Sequence, residues 1–276
     1  MKLRRTTIAA TAVVAAVGLA ACGGSGSSGG GSGGPFKIGI KFDQPGMGLK
    51  EGSKYTGFDV DVARYVAHQL GHKDSDIQFV EAPTPQRETL ISTGQVNYIV
   101  GTYSITPERK QKVSFAGPYF IAGQDLLVRS DETAITGPDT LTGKKLCSVK
   151  GSTSAAKVKS KYPGVQLQEY DTYSKCVEAL NTGSIDAVTT DNVILAGFAA
   201  QPQYQGKLKV VGKPFSTERY GVGIKKGDTD LCTKINTAIE KMISDKSWEK
   251  ALNDTVGASG FKYDTSTNPP KPDACS

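Results

Sequence analysis

Two stretches of the chain, 89 residues apart, carry one pattern: Ile91-Ser92-Thr93-Gly94-Gln95-Val96-Asn97-Tyr98-Ile99-Val100 and Leu180-Asn181-Thr182-Gly183-Ser184-Ile185-Asp186-Ala187-Val188-Thr189. Each reads as a helix end, a Thr-Gly stop and a strand rich in β-branched residues. One echo does not make a repeat protein, but it points to two lobes built from similar α/β units. The flanking residues agree. Lys37–Phe42 and Ile77–Val80 read as strands, and Asp59–Leu70 reads as a helix. That helix has an apolar face of Phe58, Val62, Tyr65, Val66 and Leu70 and a stop at Gly71. Strands alternating with helices predict largely parallel sheets, whose ligands bind beyond the strand C-terminal ends. The echo therefore nominates two loops as walls of one cleft, Gly101–Thr106 and Thr190–Val193, with Thr102 and Asp191 in equivalent register.

The N-terminus addresses location. Lys2, Arg4 and Arg5 precede an apolar run from Ile8 to Ala21 of about 14 residues, too short to cross a hydrocarbon core of roughly 30 Å. This is the layout of a secretory signal. Its end, Leu19-Ala20-Ala21-Cys22, resembles the bacterial lipobox, in which the Cys is lipidated and becomes the mature N-terminus. Residues 1–21 are thus expected to be a signal peptide. Residues 22–35 are expected to be the lipidated Cys22 and a tether, since Gly23–Gly34 contains only Gly and Ser and cannot bury apolar surface. The Arg4-Arg5 pair leaves both the general and the twin-arginine export routes open. The expected location is the extracytoplasmic face of the cell membrane.

About 240 residues remain, enough for one large domain or two small ones. The net charge of +6 falls to +3 once residues 1–21 go, because they hold three basic and no acidic residues. That is too little, and too dispersed, to suggest nucleic acid. With Cys22 acylated, Cys147, Cys176, Cys232 and Cys275 remain, an even number for an oxidising compartment. Three pairings are open, and Cys147–Cys176 with Cys232–Cys275 is favoured because each pair then lies in one structural half. No His/Cys cluster has metal-ligand spacing. His68 and His72 lack carboxylate or Cys company, and Gly71 ends the helix between them, so no metal and no cofactor is expected.

Three elements could hold a ligand. In Ser104-Ile105-Thr106-Pro107-Glu108-Arg109, Thr106 suits an N-cap and Pro107 the first helical position. Arg109 then stands in the first turn, where a guanidinium can grip a carboxylate with two hydrogen bonds. In Ser148–Ala156 a strand runs through a small-residue turn into a helix whose N-terminus suits an anion, with Ser152 and Thr153 adding hydroxyls. Asp191, at a strand end, could accept from an ammonium. Ser152 and Asp191 would equally suit plain N-caps, and Asp59 and Asp61 are read as caps. An Arg and a helix N-terminus for a carboxylate, with an Asp for an amine, make the charge complement of an α-amino acid.

At this point the chain resembles a family. Gly57-Phe58-Asp59-Val60-Asp61, Ser104–Arg109 with its continuation Ser114-Phe115-Ala116-Gly117-Pro118-Tyr119, and Lys150-Gly151-Ser152-Thr153 are similar to the bacterial polar-amino-acid solute-binding proteins of ABC importers. The resemblance runs from Phe36 to about Leu252. It implies an α/β fold of the periplasmic-binding-protein-like type II class, two lobes joined by a two-strand hinge with the ligand cleft between them. The hinge would lie near Ile121–Gln124 and Ser216–Tyr220. Lobe 1 would be 36–123 plus 217–262, lobe 2 would be 124–216, and 263–276 a C-terminal tail held as a strap by Cys275. The favoured disulfides gain support from this division. The resemblance implies that Arg109 clamps the α-carboxylate with Ser104, Ser152 and Thr153, while Asp191 and the Thr102 carbonyl take the α-ammonium. It also implies a monomer that works with ABC permease subunits.

For the ligand side chain, Lys41 ends the first strand and Arg87 lies in Pro85-Gln86-Arg87-Glu88, a position facing the same cleft in relatives. Two cations favour an acidic side chain. Ile38–Gly46 looks especially like the glutamate-binding branch, although Gln44 and Thr84 stand where stacking aromatics are expected. Aspartate, glutamine or another polar amino acid is the alternative. Two other classes share the fold, an extracytoplasmic dehydratase and a ligand-presenting sensor. For the enzyme, Glu108 and Glu218 are the nearest acid–base candidates, and neither reads as buried.

Overall fold

The computed structural model describes residues 34–275. The calls on the signal peptide and on Cys22 lie outside the described residues, as does nearly all of the tether.

In chain order the first elements are β1 (Phe36–Ile40), β2 (Asp43–Gln44), β3 (Gly48–Glu51), β4 (Lys54–Thr56), α1 (Phe58–Gln69), β5 (Ile77–Glu81), α2 (Arg87–Ser92), β6 (Tyr98–Ile99), α3 (Pro107–Lys110) and β7 (Ser114–Ala122). Then come β8 (Gln124–Arg129), β9 (Lys145–Val149), α4 (Thr153–Lys161), β10 (Gln166–Tyr170), α5 (Tyr173–Asn181), β11 (Ala187–Asp191), α6 (Asn192–Ala199) and β12 (Leu208–Val210). The chain ends through β13 (Glu218–Ile224), α7 (Thr229–Ser244) and α8 (Ser247–Thr255).

Two five-stranded sheets have orders β5-β1-β6-β13-β7 and β10-β9-β11-β8-β12. They share one plan. In the first, β1 runs parallel to β5 and β6, while β13 is antiparallel to β6 and β7. In the second, β9 runs parallel to β10 and β11, while β8 is antiparallel to β11 and β12. The expectation of largely parallel sheets holds for only half of these pairings. The reason is that β8 and β13 enter their sheets from chain crossovers, not from helical returns.

The echo marks equivalent joints in the two sheets. Gly94 and Gly183 adopt φ of 69° and 78°, the left-handed C′ position that suits glycine. The amides of Gln95 and Ser184 then close back on Leu90 and Ala179 at 3.0 and 2.9 Å. Asn97 and Asp186 each accept from the amide of the neighbouring strand's first or second residue, Lys37 at 2.9 Å and Lys145 at 2.8 Å. Each donates its own amide back to the same residue's carbonyl.

The chain crosses between the sheets at Gly123 and again between β12 and β13. The crossovers touch. A Cβ at Gly123 would stand 2.8 Å from Pro214 and 2.9 Å from the Ser216 carbonyl, and the Gln124 amide donates to Ser216 Oγ at 3.0 Å.

Burial holds the body together. Trp248 of α8 lies within aromatic contact of Phe58 and Phe120, and all three are buried. The disulfide Cys147–Cys176 ties β9 to α5, and Cys232–Cys275 ties α7 to the tail. The tail runs along β7. Asn268 accepts from the Ile121 amide at 2.8 Å and donates to its carbonyl at 2.9 Å, and the Asp273 amide donates to the Gly117 carbonyl at 2.8 Å. Arg219 and Asp273 form an ion pair at 2.7 Å.

Candidate functional site

Both loops nominated by the echo line one pocket. Its walls include Gln44, Thr84, Arg87, Thr102, Ser104 and Arg109 from the segments around the first sheet. Ser152, Thr153, Ser154, Tyr173, Thr190, Asp191 and Ile194 come from those around the second.

Arg109 is placed as its sequence predicts. Thr106 Oγ1 accepts from the Arg109 amide at 3.2 Å, capping the one-turn α3 behind Pro107. The guanidinium donates to the Ser104 carbonyl at 2.8 Å and, across the cleft, to the Gly151 carbonyl at 3.2 Å. Glu88 lies 3.8 Å from its Nε.

Arg87 opens α2 and is buried. It donates to the Gly101 carbonyl at 3.0 Å, and its buried Nε has no partner. Burial and the like charge of Arg109 push its pKa down to about 10. Tyr103 underlies both guanidiniums, with their carbons 4.0 Å (Arg87) and 5.1 Å (Arg109) from its ring centre, a cation–π platform. The sequence reading missed Tyr103; its place in the Gly101–Thr106 loop was the available signal.

Lys41 does not line the pocket. It lies one layer behind, its Nζ 3.4 Å from Thr84 Oγ1 and 4.0 Å from Asp43. Burial pushes it down to about 8, against the pull of Asp43.

Asp191 ends β11 and is buried. Although it occupies the N-cap position of α6, its side chain makes no cap bond. Oδ2 accepts from the Tyr220 phenol at 2.5 Å, and Oδ1 has no partner. Burial, then the nearby Glu218, push its carboxyl up to about 8. A buried carboxylate oxygen without a donor is costly, and a cationic group in the pocket would satisfy it.

Ser152 does act as a cap, accepting from the Ala155 amide at 3.0 Å. It reaches the pocket from the head of α4, beside Thr153 and Ser154.

Thr102 has φ of 44°, an outlier for a β-branched residue. Two bonds hold it. Its amide donates to Asp59 Oδ2 at 2.8 Å, and its hydroxyl donates to Gln44 Oε1 at 3.1 Å. This corrects the capping role expected of Asp59, because Gly57 occupies the N-cap position of α1. Asp59 is instead buried, with its other oxygen accepting from Tyr119 at 2.7 Å. Its pKa is pushed up to about 7 by burial, against those two hydrogen bonds.

Two further readings change. A pocket aromatic does exist: Tyr173, brought in at the start of α5 from the second half of the site. Glu218 is buried, accepting from Gln124 at 2.9 Å and Ser216 at 3.0 Å, whereas Glu108 is exposed on α3. Among the described residues, no group of three or more His, Cys, Asp or Glu could hold a metal, and no helix is long and apolar enough to cross a membrane.

The comparisons with known proteins point the same way. The family model of the bacterial extracellular solute-binding proteins, family 3, matches residues 36–257. The glutamate-binding protein GluB of Corynebacterium efficiens is 48% identical over 235 residues, covering 81% of this chain and 79% of that protein. The ABC transporter glutamine-binding protein GlnH of Bacillus subtilis is 36% identical over 215 residues, covering 77% and 78%. An ancestral arginine-binding protein, solved bound to glutamine, matches with a TM-score of 0.74 at 34% identity, covering 80% of this chain and 97% of that one. The fold is that of the type II periplasmic amino-acid-binding proteins. With the match running from β1 through α8, the chain belongs to the bacterial extracellular solute-binding proteins of family 3.

Proposed function

We propose that this protein captures L-glutamate outside the membrane and delivers it to the permease subunits of an ABC importer, held at the membrane by lipid on Cys22. The observation that carries the reading is the charge of the pocket wall. Two guanidiniums, Arg87 and Arg109, face one carboxylate, Asp191, with Lys41 behind. An α-amino acid with an acidic side chain complements this set. Arg109, with Ser104, Ser152 and Thr153, takes the α-carboxylate. Asp191 Oδ1 and the Thr102 carbonyl take the α-ammonium. Arg87, backed by Lys41 through Thr84, takes the side-chain carboxylate. The kinship with a glutamate-binding relative supports the same ligand.

Residues 36–123 with 217–262 would move as one lobe and 124–216 as the other, about the crossovers at Gly123 and Ser216. Closure on the ligand shifts the population toward the form a permease recognises. The site works by binding, without catalysis. A thermal-shift panel of glutamate, aspartate, glutamine, asparagine, arginine and histidine tests the reading. A ligand at 100 times its Kd adds about 2.7 kcal/mol of stability. Glutamate should give the largest shift. A larger shift with a neutral or basic amino acid would overturn the ligand, and no shift with any would overturn the class.

A further inference from the structure

The two halves also meet outside the pocket lining. A short lip, Asp43–Gly46, projects from the first half and meets two helices of the second. On its own side the lip is fixed. The amides of Phe58 and Asp59 donate to the carbonyls of Gly46 and Met47, both at 2.9 Å, and Gln44 pairs with Gly48 in the β2–β3 ladder. It therefore moves with α1.

Opposite, Asp43 faces the N-terminus of α5, a nine-residue helix. Asp43 Oδ2 accepts from the Tyr173 amide at 3.1 Å, the Ser174 amide at 3.4 Å and the Ser174 hydroxyl at 3.5 Å. The two amides belong to the first helical turn and have no intrahelical acceptor, and a carboxylate there meets the positive end of the helix dipole. Helix α5 is itself anchored to β9 through Cys147–Cys176.

The second contact is steric. Gly197 lies inside α6, where glycine is otherwise a poor choice. A Cβ at this position would stand 2.0 Å from the Pro45 carbonyl oxygen and 2.9 Å from its carbon, and its three nearest atoms all belong to Pro45. Nothing in its own half requires a glycine there. The approach of the lip does.

We propose that Asp43 is a closure latch, docking on the α5 N-terminus while Pro45 seats on Gly197, and that it sets how long any bound ligand is retained without touching that ligand. The inference rests on the two-lobe binding reading above. It makes Asp43 a positioning residue, distinct from the groups that line the pocket.

Three variants test it in the full chain, with L-glutamate as probe: Asp43→Ala, Asp43→Glu and Gly197→Ala. Calorimetry gives Kd, chase of radiolabelled glutamate gives the dissociation rate, and small-angle X-ray scattering gives compaction on binding. Asp43→Ala should dissociate about tenfold faster with an unchanged association rate, and Asp43→Glu should recover part of the loss. The Asp43→Ala loss should be the same factor for every neutral amino acid that binds, because the latch does not read the side chain; acidic ones stand apart, since Asp43 also lies 4.0 Å from Lys41. Gly197→Ala should fold with a ligand-free melting temperature at or above wild type, yet lose at least about 100-fold in affinity and fail to compact. Wild-type kinetics in Asp43→Ala together with normal compaction in Gly197→Ala would overturn the latch. If wild type binds no amino acid of the panel, the binding reading fails by itself. Ligand-free scattering then decides the latch: a larger radius of gyration for Gly197→Ala than for wild type supports it, and equal radii overturn it.

Discussion

Tyr220 donates its phenolic hydrogen to one oxygen of Asp191 at 2.5 Å, while the other oxygen of that buried carboxylate has no partner. With its carboxyl pushed up to about 8 by burial and Glu218, the ligand-free fold holds a proton that an unfolded chain releases near 4. The stability that proton confers is complete below about 4 and is lost as pH rises toward about 8. Asp191→Asn cannot lose a proton. Its ligand-free melting temperature should therefore fall less steeply between pH 5 and 8 than that of wild type, as differential scanning calorimetry would read. Parallel curves would contradict the assignment.

Binding should then release a proton. An ammonium beside Asp191 favours its charged form, so at pH 6–7 ligand entry expels the proton and affinity rises with pH toward about 8. Titration calorimetry in buffers of different ionisation heat would count it, with up to one proton released per ligand. Zero at pH 6 would place the ammonium elsewhere.

Arg109 bonds to carbonyls of both halves, Ser104 and Gly151, and faces the pocket beside Asp191. Removing one partner of a buried, hydrogen-bonded charge pair costs about 2–5 kcal/mol. Arg109→Met should thus weaken amino-acid binding by at least about 30-fold for acidic and neutral ligands alike, measured by calorimetry.

Arg87 and Lys41 should separate glutamate from glutamine, and unequally. Arg87 lines the pocket, whereas Lys41 bonds to Thr84 behind it. Arg87→Met should weaken glutamate by at least about 30-fold while sparing glutamine, and Lys41→Met should cost glutamate less than that, because Lys41 does not reach the pocket. Equal losses for the two ligands would remove the side-chain role from both cations.

Asn268 is buried and clasps both backbone groups of Ile121. Asn268→Ala leaves them unsatisfied, at a cost of about 2–3 kcal/mol, or roughly a 5–10 °C drop in melting temperature. Affinity should stay within about twofold. An unchanged melting temperature would mean that the tail contributes little to the fold.

Much of this was legible in the sequence because it is local. The Thr-Gly stops at 93–94 and 182–183 and the Thr106-Pro107 cap are short-range chemistry, and they led to Thr102, Arg109 and Asp191, which line one pocket. What escaped depends on distant partners. Asp59 reads as a helix cap until Thr102 and Tyr119 arrive from 43 and 60 residues away. Tyr173 is one more helical aromatic until its helix start docks against the first half. Glu218 looks exposed until the crossovers press it against Gln124. The antiparallel strands β8 and β13 belong to the same class, since their direction is set by where the chain crosses.

The tail beside β7 has a further consequence. That strand ends its sheet, and a bare strand edge is a template on which another chain can pair and aggregate. Here five of the backbone groups of β7 are already occupied. The amide and carbonyl of Gly117 meet Asn236 and Asp273, the Tyr119 carbonyl meets the Trp248 indole, and both groups of Ile121 meet Asn268. With this margin spent on the protein's own C-terminal segment, a second copy finds little there to pair with.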